Sequence, residues 1–299
     1  MENNVPLVSV AIITYNQKEF LIEAIESVLE QDYPNIEIVV ADDHSTDGTA
    51  EILREYADKN HGKFVLRIAD KNMGITKNSN AAHFACSGKY IAWLGGDDLM
   101  HKDKISKQVM YLESHPDCNI VYHNLEVFES ETKKLIGYYN TKKDCYEGDI
   151  RVLIKHGTFN SACSNMIRFD KTPPAGFNEE LDVASDWLYF IECLKQGGTI
   201  NFINEILGKY RRHANNVSNK DSPFYKQGMK DHFCSLEILK SFEVDYKKEI
   251  NYRLSTLYKD LRQEGYLKNL RKSLGYNPVN MKSWILLLLY MCSFKKIKL

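Results

Sequence analysis

The first patterned segment, LVSVAIIT (7 to 14), is an unbroken run rich in β-branched residues, which suits a strand covered on both faces. Phe20, Leu21, Ala24, Ile25, Val28 and Leu29 then recur as one stripe of a helix that stops before Asp32-Tyr33-Pro34. IEIVVA (36 to 41) predicts a second strand. The DDHSTDGT after it is rich in side chains that accept backbone N–H bonds, and Asp47 is placed to cap a helix over 49 to 58. FVLRIA (64 to 69) predicts a strand, 76 to 86 a helix, and YIAWL (90 to 94) a further strand. This rhythm predicts βαβ units with right-handed crossovers and a parallel sheet.

Beyond residue 100 the rhythm loosens into a helix around 102 to 115, an apolar strand NIVYHNLEVF (119 to 128) and a polar stretch to about 150. Mixed sheet with variable loops is expected there. FNEELDVASD (177 to 186) reads as a loop entering a helix to 196, with Trp187, Leu188, Phe190, Ile191 and Leu194 on its apolar side and Asp186 at its start. Residues 220 to 272 are helix-like and polar, whereas WILLLLYMCSF (284 to 294) is an apolar block followed by KKIKL. From Lys268 to Leu299 there are seven Lys or Arg and no Asp or Glu. Two readings stand side by side: a helix lying in an anionic membrane surface, or a helix docked on the core with its lysines solvated. The block is too short to span a bilayer.

Composition narrows the function classes. With 39 basic against 40 acidic residues the formal charge is -1, which removes the electrostatic case for a general nucleic-acid binder. Binding must come from a local site. The seven cysteines (86, 118, 145, 163, 193, 234, 292) form no C-x-x-C pair and an odd-numbered disulfide framework, so they read as buried small hydrophobes in a reducing, cytosolic protein. The opening MENNVPLVSV lacks the basic and apolar regions of a secretory signal, which also leads to a cytoplasmic expectation.

In parallel sheets ligands bind beyond the carboxyl ends of the strands. The residues there are Thr14-Tyr15-Asn16, Asp42-Asp43, Asp70 to Gly74, and Gly95 to Asp98. Two converging carboxylate pairs, Asp42-Asp43 and Asp97-Asp98, raise each other's pKa unless neutralised, and a divalent cation would neutralise them. Oxygen ligands favour Mg²⁺ or Mn²⁺, ions that keep substrate phosphates in their shell, so a nucleoside diphosphate is the natural ligand. For any one Asp-Asp pair the alternative is a cap on the following helix.

Five motifs in order sharpen this: VSVAIITYN (8 to 16), VVADDHSTDGT (39 to 49), NMGITKNSNAA (72 to 82) running on to SGKYIAWLGGDD (87 to 98), SDW (185 to 187) and YRRH (210 to 213). Over about residues 5 to 215 the chain resembles the family 2 inverting glycosyltransferases of the GT-A fold. The resemblance implies an α/β GT-A fold: a Rossmann-like, mostly parallel central sheet flanked by helices, plus a C-terminal helical extension. It implies a transferase domain over 1–215, with 1–100 the nucleotide-binding half and 101–215 the acceptor half, and a helical region over 216–299. By the same resemblance Asp43 would accept from the uracil N3–H and Thr14 and Asn16 would line the base and ribose. Ser45 and Asp97 would join the nucleotide-sugar site, and Lys77 would meet the diphosphate. Asp98 and His213 would hold Mn²⁺ or Mg²⁺, and Arg211 or Arg212 would pair with phosphate; a core role for the histidine and a surface-charge role for the arginines stand beside this. The usual Leu-Asp-Ala-Asp-Asp reads Leu94-Gly95-Gly96-Asp97-Asp98 here, without its first carboxylate.

Asp186 matches the general base of the family's Glu-Asp motif, with Ser185 in place of the Glu; Trp187 beside it is core or an acceptor platform. Such a base deprotonates the acceptor hydroxyl as it attacks the anomeric carbon from the face opposite the departing nucleoside diphosphate. A metal would stabilise charge on the leaving phosphate. The expected activity is therefore transfer of one sugar from a UDP-sugar to an acceptor hydroxyl with inversion, giving a β-linkage from an α-donor. With no Gln-x-x-Arg-Trp motif and no membrane span, a processive synthase is disfavoured. The basic, apolar tail resembles enzymes that extend polyprenyl-diphosphate-linked sugars for O-antigen or capsule, working peripherally at the cytoplasmic face of the inner membrane. Neither the G-x-G-x-R of nucleotidyltransferases nor the G-x-G-x-x-G of dehydrogenases follows the first strand. The rival from another class is a non-catalytic sugar-nucleotide or glycan-binding protein on a decayed transferase scaffold, motivated by Gly95 and Ser185.

Overall fold

The first apolar run becomes β1 (Val8–Thr14), and in the computed structural model it lies between two parallel neighbours, which is why it needs no polar face. The structure describes residues 5–141, 143–242, 244–260 and 266–292. After β1 come α1 (Lys18–Leu29), β2 (Ile36–Asp42), α2 (Thr49–Lys59), β3 (Phe64–Ile68), α3 (Ile75–His83) and β4 (Tyr90–Gly95). The strands pair in parallel in the order β3-β2-β1-β4. Their register sets Thr14 opposite Asp42 and Ile13 opposite Gly95, so the carboxyl ends form one level rim. Leu21, Ala24, Ile25 and Val28 of the predicted stripe are buried, and α1 covers the sheet with them.

The second half holds β5 (Leu99–Met100), α4 (Lys104–Ser114), β6 (Cys118–Glu129), β7 (Leu135–Tyr138), α5 (Ile150–His156), β8 (Met166–Arg168), α6 (Asp186–Glu192) and β9 (Thr199–Arg212). The sheet continues β4-β8-β6-β9-β5, with β7 on the side of β6. Here β8 is antiparallel to both neighbours, β5 and β7 pair antiparallel, and β6 runs parallel to β9 with three register shifts. The parallel character thus belongs to the first hundred residues and gives way to a mixed sheet. The helix expected to run to 196 ends at Glu192, ahead of the Gly197-Gly198 pair, both at positive φ.

The stretch read as helix-like over 220 to 272 is three helices, α7 (Pro223–Leu239), α8 (Lys247–Asp260) and α9 (Tyr266–Tyr276), followed by α10 (Met281–Cys292). The rest of the apolar block and KKIKL lie outside the described residues. The chain divides into two compact units, Met1–Ile150 with Thr158–Asp231, and Arg151–Gly157 with His232–Leu299. The first unit reaches past residue 215 because Asp231 Oδ2 accepts the backbone N–H groups of Val183 (2.7 Å) and Ala184 (2.9 Å). Among the described residues no helix is long and apolar enough to cross a membrane. Cys86, Cys118, Cys163 and Cys193 are buried as expected, whereas Cys145 and Cys234 are only half-buried.

One helix departs from the usual pattern of an apolar inner face. In α3 the buried side chains are mostly polar: Thr76, Asn78, Ser79, Asn80 and His83. Asn78 Nδ2 donates to the Ala41 carbonyl (3.0 Å) and, more weakly, to that of Thr14 (3.4 Å), satisfying carbonyls at the strand ends. Thr76 Oγ1 lies within hydrogen-bond reach of the Leu181 carbonyl and of Ser185 Oγ (2.9 Å), while Asn80 exchanges hydrogen bonds with the Phe177 backbone. The polarity of α3 is what fastens the loop before α6 to the parallel part of the sheet.

Candidate active site

The loops after β1 and β2 are tied into one surface. Asn16, at φ 50°, gives its N–H to Ser45 Oγ (2.7 Å) and accepts from the Thr46 N–H (2.8 Å); Asn is among the few side chains that tolerate this left-handed backbone. Ser45 Oγ in turn donates to Asp42, a buried carboxylate whose pKa is raised chiefly by desolvation. Asp47 accepts both from the Thr49 N–H (3.1 Å), as its capping role requires, and from the Lys18 N–H (3.0 Å), so it joins the starts of α2 and α1. Asp43 is buried, and its two oxygens accept the Met73 (2.7 Å) and Gly74 (2.9 Å) amides of the loop after β3. A carboxylate has about four lone-pair positions, so capacity for a further donor remains. Thr14 Oγ1 is buried without a partner beside Gly96, Tyr15 is 47% exposed on the rim, and Lys77 is exposed on the first turn of α3.

At the end of β4 the two adjacent carboxylates turn to different environments. Asp98, expected to hold the metal, is buried; its Oδ1 accepts the Arg211 backbone N–H (2.9 Å), and the Cys163 thiol also bonds it. Burial, with the neighbouring Asp97 adding, holds its pKa well above the carboxylate range. Asp97 instead points Oδ2 at His213 Nε2 (2.9 Å) and Asn216 Nδ2 (3.3 Å). Arg211 is fully buried between the rings of Phe20 and Phe128, each 4.7 Å from its guanidinium, and bonds Glu23 (2.9 Å) and the Asp97 carbonyl (2.7 Å). It is therefore a structural cation and not a phosphate clamp. Arg212 is partly exposed, lies over the Tyr210 ring and donates to Ser218.

The family resemblance expects a carboxylate at 95 and a methyl at 96, and both positions are closely approached here. A Cβ at Gly95 would meet Asp97 Oδ1 at 2.7 Å, and one at Gly96 would meet Thr14 Oγ1 at 2.9 Å. Ser185 is buried, its Oγ within hydrogen-bond reach of Thr76 Oγ1.

Asp186 opens α6, partly exposed, with Oδ1 accepting the Trp187 N–H (2.8 Å). Desolvation raises its pKa against the lowering effect of that N–H. Trp187 is fully buried and belongs to the core. Asp186 acts electrostatically on Tyr139, whose ring meets Tyr210 at 5.6 Å; burial pushes Tyr210 up to about 12, with Asp98 and Asp97 adding.

The family model for glycosyl transferase family 2 matches residues 9–172. The chain belongs to that family. An uncharacterized glycosyltransferase of Haemophilus influenzae is 31% identical over 223 residues, 72% of this chain and 68% of its own. The putative teichuronic acid biosynthesis glycosyltransferase TuaG of Bacillus subtilis is 28% identical over 238 residues, 80% of this chain and 90% of its own. Among solved structures, S. aureus TarS in complex with UDP-GlcNAc superposes with a TM-score of 0.67 at 18% identity, covering 97% of this chain and 88% of that one, which shows a shared fold.

This family 2 glycosyltransferase gathers Thr14, Asn16, Asp43 and Ser45 on the rim, sets Asp97 with His213 nearby, and leaves Lys77 exposed. Sequence reasoning assigned no role to Tyr139, Tyr210, Asn216 and Glu23. Only the Asn216 position had a local signal, since His213 and Asn216 close a turn through His213 N–H to Asn216 Oδ1 (2.7 Å). For a divalent cation, Asp97 Oδ2 and His213 Nε2 converge as two donor atoms, while no group of three His, Cys, Asp or Glu side chains does so among the described residues. Two protein ligands fit an Mg²⁺ or Mn²⁺ whose other positions belong to phosphate oxygens and water.

Proposed function

We propose that this glycosyltransferase moves one sugar from a UDP-sugar to an acceptor hydroxyl with inversion, Asp186 acting as the base. The observation that carries the reading is Asp186 itself: a carboxylate with raised pKa, partly exposed at the start of a helix. A raised pKa makes its ionised form a stronger proton acceptor. Asp43 would accept the uracil N3–H, Tyr15 would offer its exposed ring to the base, Thr14, Asn16 and Ser45 would shape the ribose side, and Lys77 would meet the diphosphate. Asp97 and His213 would hold Mn²⁺ or Mg²⁺, with Asp98 beneath them as support. Bound there, the cation would supply charge stabilisation on the leaving diphosphate.

The acceptor is proposed to be a polyprenyl-diphosphate-linked sugar in bacterial cell-surface polysaccharide synthesis, at the cytoplasmic face of the membrane. The relative named for teichuronic acid biosynthesis supports the polysaccharide part, and the UDP-GlcNAc complex of the TarS neighbour supports a UDP-sugar donor. The reading is tested by thermal-shift titration with UDP, GDP, CDP and dTDP, each with and without Mn²⁺. A ligand at 100 times its Kd stabilises by about 2.7 kcal/mol. Selective, Mn²⁺-enhanced stabilisation by UDP is expected, and Asp186→Asn should keep it while abolishing transfer; NMR of the product then reports the anomeric configuration. No response to any nucleotide would sink the donor assignment.

A further inference from the structure

The last described helix carries two apolar faces, and among the described residues only one of them is covered. On α10, Leu287 joins Tyr266, Leu270 and Leu274 of α9 in a small core, with Leu286 and Tyr290 packed against it. Ser283 Oγ meets Ser273 Oγ at 2.7 Å, and Ser273 reaches Ser255 of α8 at 3.0 Å, so small side chains bring the three helices together. Asn280 Oδ1 accepts the Ser283 N–H (3.2 Å) at the helix start. The inner face is therefore filled. At about 100° per residue the opposite side carries Met281, Trp284, Ile285, Leu288, Leu289 and Met291, each between 44% and 68% exposed. Trp284 donates its indole N–H back to the Pro278 carbonyl (2.8 Å), which leaves the outward edge of the ring apolar.

One cation borders this face, and the helix before it carries more. Lys282 stands at its edge, and Lys268, Arg271 and Lys272 are exposed on α9. From Lys268 to Leu299 the sequence has seven Lys or Arg and no Asp or Glu. A second copy is a poor occupant, because a two-fold contact would set like charges against each other. A surface of anionic lipid matches both the apolar face and its border.

We propose that the outer face of α10 docks into the surface of an anionic bilayer, with Trp284, Ile285 and Leu288 in the interfacial layer and the lysines at the phosphates. The docked and the membrane-lying readings of this helix are then two faces of one element. The inference stands apart from the transfer reaction and is tested without it.

The full chain is sedimented with vesicles of phosphatidylglycerol and phosphatidylethanolamine, or of phosphatidylcholine alone. At least tenfold stronger binding to the anionic vesicles is expected. Ile285→Glu with Leu288→Glu should lower it at least tenfold with the circular dichroism melt unchanged, and Lys282→Glu by about fivefold. Brominated lipid should quench Trp284 fluorescence selectively, because Trp93 and Trp187 are buried; this readout needs no substitution. Absence of vesicle binding, binding indifferent to the Ile285 and Leu288 changes, or a lipid-free dimer that those changes abolish would each overturn the proposal.

Discussion

Restoring the carboxylate that the family resemblance expects at position 95 should weaken the site. A Cβ there would lie 2.7 Å from Asp97 Oδ1 and 3.4 Å from Asp98 Oδ2, closer to Asp97 than side chains approach one another. Asp97 must retreat, and its Oδ2 is held by His213 at 2.9 Å and Asn216 at 3.3 Å. Hydrogen bonds to charged groups contribute about 1.5–3 kcal/mol each. Loss of one therefore corresponds to roughly a 10- to 150-fold change in an equilibrium that depends on Asp97. Gly95→Ala supplies the steric part alone and Gly95→Asp adds a like charge beside two carboxylates. Calorimetric titration of UDP with and without Mn²⁺ should show the Mn²⁺-dependent affinity falling at least tenfold in Gly95→Ala and further in Gly95→Asp. If Gly95→Asp binds UDP with Mn²⁺ as tightly as the wild type, the idea that this close approach sets the Asp97 geometry is refuted.

Three further outcomes are expected. Thr76→Val removes the hydroxyl that bonds the Leu181 carbonyl and Ser185 Oγ, so the loop before α6 should loosen; kcat should fall while UDP affinity holds, at a stability cost of about 1–3 kcal/mol. Glu23→Gln removes the counter-charge of the buried Arg211; because Glu23 is 42% exposed, about 2 kcal/mol is expected in place of the ~3–5 of a fully buried pair, lowering Tm by roughly 4–8 °C by calorimetry. Asp186 has its pKa raised by burial and must be ionised to act, so kcat should decline as pH falls through a value above the ordinary carboxylate range. The same burial penalises the charged form in the fold, so Asp186→Asn should raise Tm at neutral pH, with the gain vanishing below about pH 4.

The first hundred residues were legible because each of their signals is local. Central parallel strands announce themselves as β-branched runs, and the residues after them fall on one rim whatever the loops do. β8 is only three residues long and β7 four, too short for either to show a period of two. The difference between Asp97 and Asp98 was invisible for another reason: what turns Asp98 inward is the backbone N–H of Arg211, 113 residues away. Arg211 itself looked like a phosphate ligand, since nothing near it in sequence shows that Phe20 and Phe128 enclose it. Asp186 at the head of a helix was readable from its neighbours, but the contact of the Tyr139 and Tyr210 rings depends on segments brought together across β6.

The buried polar side of α3 bears on how this scaffold can be recombined. Thr76 and Asn80 grip the segment that delivers Asp186, while Asn78 grips the ends of β1 and β2, all within three turns of one helix. A chimera that imports residues 177 to 192 from a homologue with a different acceptor would keep its chemistry only if positions 76 and 80 travelled with them. One that swaps the outlying 129 to 150 loop would leave these joints untouched. The splice point that respects the molecule's own joinery therefore runs through the middle of a helix, where sequence boundaries alone would not put it.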